Sequence, residues 1–345
     1  MAFEPTERVP LGRSGLSVTR LGFGAASIGG VFDEVREADG LATIERAWEL
    51  GVRYFDVAPL YGYGTGERRI GLSLAGRDRD DFVVSTKVGK LVRRVDEVDP
   101  GADVDRDAFG DRRDADPTQD SGFRVVFDYS RDGILRSIDE SLGRLGLDRL
   151  DILYLHDPDD HWEAAIGQAY PTLHRLREEG VIGAIGAGMN QSAMLTRFAR
   201  EGDFDVFLVA GRYTLLDQDA LAELLPTCLE RNVAVVVGGV MNSGILAAPA
   251  QAGRFNYKVP PAEIVERARR LAAVCEHHDV PLKAAAIQFP LAHPAVASVV
   301  AGVGRVDHLE EYPVFMREAI PAALWAELRN EGLLAADAPV PSEGR

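Results

Sequence analysis

Short apolar runs alternate with longer amphipathic stretches along the chain, and the alternation repeats eight times. The apolar runs fall at 21–24, 54–57, 82–86, 152–155, 182–186, 206–209, 234–237 and 297–300. Each has the length and composition of a strand buried on both faces. Between them lie helix-like segments, clearest at 40–50, 131–145, 163–179, 221–231 and 261–277. Segment 131–145 places Ile134, Leu135, Ile138, Leu142 and Leu145 on one stripe, which is helical spacing. Segment 163–179 stops at Gly180, a residue suited to ending a helix.

Strand-then-helix alternation implies a parallel sheet with right-handed crossovers. Eight repeats favour a closed (β/α)8 barrel over an open doubly wound sheet. The turn after the first strand, Gly22-Phe23-Gly24-Ala25-Ala26-Ser27, begins a dinucleotide-binding glycine pattern but ends it with Ser. That also counts against the open sheet. Ahead of the first strand, short extended pieces around Arg13-Ser14-Gly15 predict a β-hairpin. The expected organisation is one α/β TIM barrel domain spanning 1–345. Two stretches break the rhythm. Residues 92–122 are rich in Asp, Arg, Gly and Pro with no apolar period. They are expected to form a long loop over the active face, either a lid or a solvated insertion. Residues 335–345 are expected to be a loose tail.

Composition narrows the function classes. With 38 basic and 54 acidic residues the formal net charge is −16, which argues against non-specific nucleic-acid binding. The N-terminus has no basic, apolar leader, and no stretch is long and apolar enough to span a membrane. Cys228 and Cys275 lack metal-type spacing and are expected to be reduced thiols packed in helices. The expectation is a cytoplasmic protein acting on a small molecule, with its oligomeric state left open.

In a barrel, chemistry sits where strands end. Three consecutive runs finish in Asp56, Lys87 and His156. Taken singly, Asp56 reads as a cap, Lys87 as a solvated charge and His156 as a core residue. Together, on neighbouring strands, they are expected to converge, with Asp56 pairing the Lys87 ammonium. The loop Pro59-Leu60-Tyr61-Gly62-Tyr63-Gly64 adds phenols. An ammonium beside Tyr61 is expected to lower its pKa and fit it to move a proton; Tyr63 is the rival. Of seven histidines only His156 is so placed, which argues against a metal-dependent hydrolase and for no metal.

The order Phe55-Asp56-Val57-Ala58-Pro59-Leu60-Tyr61-Gly62, Glu67-Arg68, Ser85-Thr86-Lys87 and Leu155-His156 resembles the aldo-keto reductase superfamily over nearly the whole chain. The resemblance implies a (β/α)8 barrel binding NAD or NADP in extended form, with Asp56, Tyr61, Lys87 and His156 as the tetrad. It also implies cofactor contacts. Gly186-Ala187-Gly188-Met189-Asn190 would place Asn190 on the nicotinamide carboxamide, and Asn242-Ser243-Gly244-Ile245-Leu246 would bring Ser243, Gly244 and Leu246 to the pyrophosphate. Gly302-Val303-Gly304-Arg305 with His308 and Glu311 would form the adenosine end, and Gly24 and Ala25 complete the set. Arg305 could pair with a 2′-phosphate, leaning toward NADP. Three departures stand out: Ala210 replaces a common Gln, Gly238 a stacking Tyr, and Tyr312 an adenine-side Asn.

Phe127-Asp128-Tyr129-Ser130, Leu145-Gly146-Leu147-Asp148, Leu155-His156-Asp157 and Gly188-Met189-Asn190-Gln191 are similar to a subgroup of aldose 1-dehydrogenases and pyridoxal dehydrogenases. That likeness implies oxidation of an aldose's anomeric hydroxyl to a lactone. The alternatives are pyridoxal oxidation, aldehyde or ketone reduction at the same site, and a non-catalytic nicotinamide-binding subunit.

Overall fold

A computed structural model describes residues 3–31, 33–106, 122–251 and 253–341. Eight parallel strands close a barrel: β3 (Leu21–Gly24), β4 (Tyr54–Asp56), β5 (Val83–Val88), β8 (Ile152–His156), β9 (Ala184–Met189), β10 (Val206–Ala210), β11 (Ala234–Gly238) and β12 (Val296–Ala301). A hairpin of β1 (Arg8–Pro10) and β2 (Ser17–Thr19) precedes them. The expected TIM barrel with an N-terminal hairpin is what forms.

Strand alternation sorts the core into two layers. Tyr54, Ile152, Tyr154, Val206, Leu208 and Val236 fill the barrel interior. Leu11 and Val18 of the hairpin join them, so the hairpin plugs the end where strands begin. Phe55, Val84, Leu153 and Phe207 face outward and bury against the helices. Fully burying each such side chain contributes about 1.5–3 kcal/mol.

Helix Arg131–Leu145 begins at Ser130, whose hydroxyl accepts the Gly133 N–H at 3.1 Å, and ends at left-handed Gly146. The expected helix 163–179 is helical over 162–178 but contains a π segment, Ala165–Ala169. Strand β9 lies two to three residues later than expected. Its Gly186-Ala187-Gly188 end carries little hydropathy, and pairing decides instead: Ala184 aligns with Ile152 and Gly188 with His156. Cys228 and Cys275 are free and buried in helices Leu224–Glu230 and Ala262–His277.

Two expectations are corrected. The stretch 92–122 does not start as a loop. β6 (Lys90–Arg94) pairs antiparallel with β7 (Phe123–Phe127), and Asp103 and Asp105 bond to Phe127 and Val125 alongside. The apolar partners that make this ribbon, Phe123, Val125 and Phe127, come after the polar stretch, so local patterning misses it. Residues 107–121 lie outside the described residues. The tail is packed rather than loose through Pro341. Ala338 is fully buried, its carbonyl accepts from Arg329 at 2.7 Å, and the Ala335 N–H donates to Gln218 at 2.8 Å.

Candidate active site

Strand register sets Gly24 beside Asp56, Asp56 beside Ser85, Lys87 beside Tyr154 and His156 beside Gly188. All lie where strands finish. Lys87 is buried, and its Nζ donates to Asp56 Oδ2 at 2.8 Å and to the Val57 carbonyl at 3.0 Å. Ser85 donates to Asp56 Oδ1 at 2.7 Å. Each carboxylate oxygen therefore has a donor, which a buried ion pair requires.

The loop after β4 carries Tyr61 over this pair. Gly62 lets the loop close, because a Cβ there would meet the Gly29 carbonyl oxygen at 1.9 Å. Lys87 Nζ sits 4.8 Å from the Tyr61 ring centroid, and the His156 imidazole meets that ring edge-on at 6.2 Å. Tyr63 stacks on Phe123 at 5.6 Å, so the rival phenol faces the β6–β7 ribbon.

The charge state of Tyr61 differs from expectation. Burial, then Asp56 and Asp157, push its pKa up from 10 rather than down. The reason is geometric. Lys87 lies over the ring with its ammonium bonded to Asp56, so burial and the Asp56 and Asp157 carboxylates dominate at the phenol. His156 moves the other way: burial, then Lys90 and Lys87, hold it well below 6.5 and neutral. Its Nδ1 is buried with no hydrogen-bond partner among the described residues.

Several residues here escaped sequence reasoning. Glu67 is fully buried and accepts from Thr86 at 2.8 Å and Arg144 at 2.5 Å, fixing the strand residue before Lys87. The Glu67-Arg68 motif was its signal. Tyr129 donates to the His156 carbonyl at 2.5 Å. It packs flat on Gly89, where a Cβ would meet its ring at 2.1 Å. Buried Lys90 bridges Asp105 at 3.0 Å and Asp157 at 3.2 Å, and Asp157 lies 3.6 Å from His156 Nε2. Tyr257 sits in a tight reversal between Phe255 and Lys258 with φ +66°, its N–H donating to Ser243 Oγ at 3.2 Å. Apart from the Glu67-Arg68 motif, no local pattern announces these long-range contacts.

Most of the residues expected around a nicotinamide dinucleotide follow the ends of β9, β11 and β12. Ala210 and Gly238 are register partners, so the two departures from the family pattern are one gap. A Cβ on Gly238 would meet only side chains at 3.5 Å or more, and one on Gly188 would meet Lys87 Cε at 3.5 Å. A methyl at either glycine would therefore be in ordinary contact with its neighbours, one of them Lys87. Asn242, Ser243 and Gly244 all have positive φ, and Asn242 Oδ1 is buried without a partner among the described residues. This chemistry fits a polar ligand. Asn190 is exposed, Gly302 accepts from Ser27 at 2.9 Å, and exposed Arg305 and His308 open helix Val306–Arg317.

Three assignments are less apt. Leu246 is fully buried with its N–H donating to Met241, so it shapes the loop from within. Ala25 is fully buried with its N–H on the Asp56 carbonyl. Glu311 is held by Lys283 at 2.6 Å. Tyr312, the departure from an adenine-side Asn, packs into the core. Among the described residues, the only cluster of potential metal ligands is His277, His278 and Glu327 on outer helices. None of the described helices is long and apolar enough to cross a membrane.

The profile of the Aldo/keto reductase family matches residues 20–329. The chain is 45% identical to a D-threo-aldose 1-dehydrogenase from a Pseudomonas species, covering 93% of this chain and 96% of that protein. It is 41% identical to a pyridoxal 4-dehydrogenase from Microbacterium luteolum, covering 97% and 100%. Among solved structures, the holo form of an aldo-keto reductase from Bacillus halodurans superposes with a TM-score of 0.73 at 26% identity, covering 98% and 99%.

Proposed function

The chain belongs to the aldo/keto reductase family and is an NAD(P)-dependent oxidoreductase, and from that premise we propose that it oxidises the anomeric hydroxyl of an aldose to a lactone. The observation that carries this reading is a phenol, a paired ammonium and a neutral imidazole gathered at one rim, in a chain whose aldose-dehydrogenase relative matches almost end to end.

A nicotinamide bound beside these residues would supply the acceptor for the hydride that leaves the anomeric carbon. Tyr61 takes the proton of the hydroxyl as the carbonyl of the lactone forms, so one hydride and one proton leave the substrate. Neutral His156 orients the reacting oxygen without adding charge. Asp56 fixes Lys87 beneath the Tyr61 ring. No divalent metal takes part, so a chelator leaves turnover intact.

One observation favours a second reading. The raised pKa of Tyr61 keeps it protonated near neutrality, which suits an acid in carbonyl reduction. The cofactor we assign is NAD. Arg305 donates to Asp307 at 2.8 and 3.0 Å, so a 2′-phosphate would have to displace a carboxylate. Initial rates with NAD+ and NADP+ across L-fucose, L-galactose, D-arabinose and pyridoxal test all of this. Sugar oxidation with NAD+ is expected to dominate. Pyridoxal turnover without sugar turnover would replace the aldose reading.

A further inference from the structure

Asp157 is the least explained charge at the barrel mouth. It directly follows His156 and adopts a left-handed φ of +44°, held by its N–H donating to the Gly188 carbonyl at 3.0 Å. Such a conformation outside glycine costs free energy and clusters at functional positions. Here it turns the chain off the strand so that the carboxylate lies beside the imidazole. Oδ2 is 3.6 Å from His156 Nε2 and 3.2 Å from Lys90 Nζ. Oδ1 takes no hydrogen bond among the described residues. The side chain keeps 21% of its surface exposed in an otherwise buried cluster.

Lys90 accounts for how the carboxylate is kept there. Its side chain is 6% exposed, and its ammonium lies between Asp157 and Asp105, 5.2 Å from the Phe127 ring centroid. Both strands of the second ribbon thus contribute to holding one acidic side chain next to His156.

We propose that Asp157 is a specificity-determining residue that accepts a hydrogen bond from the substrate hydroxyl on the carbon adjacent to the reacting one, with Lys90 as its positioning residue. The ligand class is a vicinal diol, and the proposal rests on the aldose reading above. Adjacent oxygens of such a diol are about one hydrogen bond apart, and the carboxylate lies close enough to the imidazole, 3.6 Å from Oδ2 to Nε2, for the two groups to meet neighbouring oxygens. A site built to bond a hydroxyl discriminates strongly against the analogue lacking it.

The test compares L-fucose with 2-deoxy-L-fucose, using the full chain and NAD+. Wild type prefers L-fucose. In Asp157→Asn that preference in kcat/KM shrinks by about ten- to a hundredfold, as expected for a lost bond to a charged acceptor. The change is carried mainly by KM. Lys90→Met shifts it in the same direction, while NADH affinity measured by nicotinamide fluorescence stays within about threefold in both. Equal losses on both sugars, or a wild type indifferent to the 2-hydroxyl, would overturn the role of Asp157 and leave the aldose reading standing. A wild type that oxidises neither sugar but oxidises pyridoxal would overturn both.

Discussion

Where the barrel strands begin, buried carboxylates grip arginine and backbone; where they finish, carboxylates grip buried lysines. At the first end, Asp205 accepts the Ile185 N–H and an Arg177 nitrogen, both at 2.9 Å. Asp151 accepts the Val84 N–H at 2.7 Å and Arg79 at 2.6 Å. At the other end, Asp56 holds Lys87 and Asp157 holds Lys90. Arginine is permanently charged and its fork fixes geometry, whereas lysine is a compact point charge whose field reaches its neighbours. The two ends share one kind of ion pair and use it differently. One set registers strands, and the other sets the protonation of a phenol and an imidazole. Backbone strain divides the same way. Tyr63, Asp157, Asn242, Ser243, Asn256 and Tyr257 have positive φ in loops that follow strands. Asn232 and Asp279, types that tolerate this conformation, take it just past helix ends.

The sharpest break between the ends is Tyr61→Phe. Losing the proton-transfer group is expected to lower kcat about 10²–10⁴-fold, with melting temperature and NAD+ affinity unchanged. In wild type, oxidation should accelerate as pH rises, because the raised pKa of Tyr61 leaves the accepting phenolate scarce near neutrality. Near-normal turnover in the variant would move the chemistry off this residue.

How far this division was legible depended on sequence distance. Eight strands and the residues ending them follow from local patterning, so Asp56, Lys87 and His156 could be placed at one rim before any coordinates. The Glu67 contact to Thr86 and Arg144, the Lys90 bridge and the β6–β7 ribbon join residues up to 77 positions apart, where periodicity carries no signal. The direction of the Tyr61 shift also needed coordinates. Sequence says that a lysine is near, but only geometry shows its ammonium bonded to Asp56. The packed tail was missed because its polar, proline-containing stretch is held by individual bonds to Gln218 and Arg329.

Asp205→Ala tests the strand-registering end. Removing one partner of a buried pair costs about 3–5 kcal/mol, and two donors would be left without that acceptor. Denaturant unfolding should show that loss while kcat stays at the wild-type value. A selective fall in kcat without loss of stability would erase the distinction between the ends.

Each end also buries a neutral histidine. His293 is lowered to about 4 by burial, and its Nδ1 accepts the Ala295 N–H at 3.2 Å, which protonation would abolish. His156 is lowered by burial together with Lys90 and Lys87. For a depressed folded-state pKa, stability is full above the unfolded value of about 6.5 and falls as pH drops toward the folded value. Between pH 7 and 5, His293→Gln should reduce the acid-induced loss by about 2 kcal/mol. Chemical denaturation at both pH values checks this, and an unchanged slope would mean His293 is not buried neutral.

The smallest effect separates the two cations directly. Arg177→Lys keeps a positive charge near Asp205 but loses the fork that also reaches Asp203 at 2.7 Å. The expected cost is about 1 kcal/mol, the net worth of one hydrogen bond, with turnover unaffected. The mirror change, Lys87→Arg, puts a larger planar group where Nζ fits between Asp56 and the Val57 carbonyl. Turnover should fall there even if the fold survives, because the ammonium no longer lies under the Tyr61 ring. Parallel melting and kcat measurements on the pair decide the matter. If Lys87→Arg keeps its turnover, the field beneath Tyr61 does not depend on a point charge, and the contrast between the two ends reduces to packing.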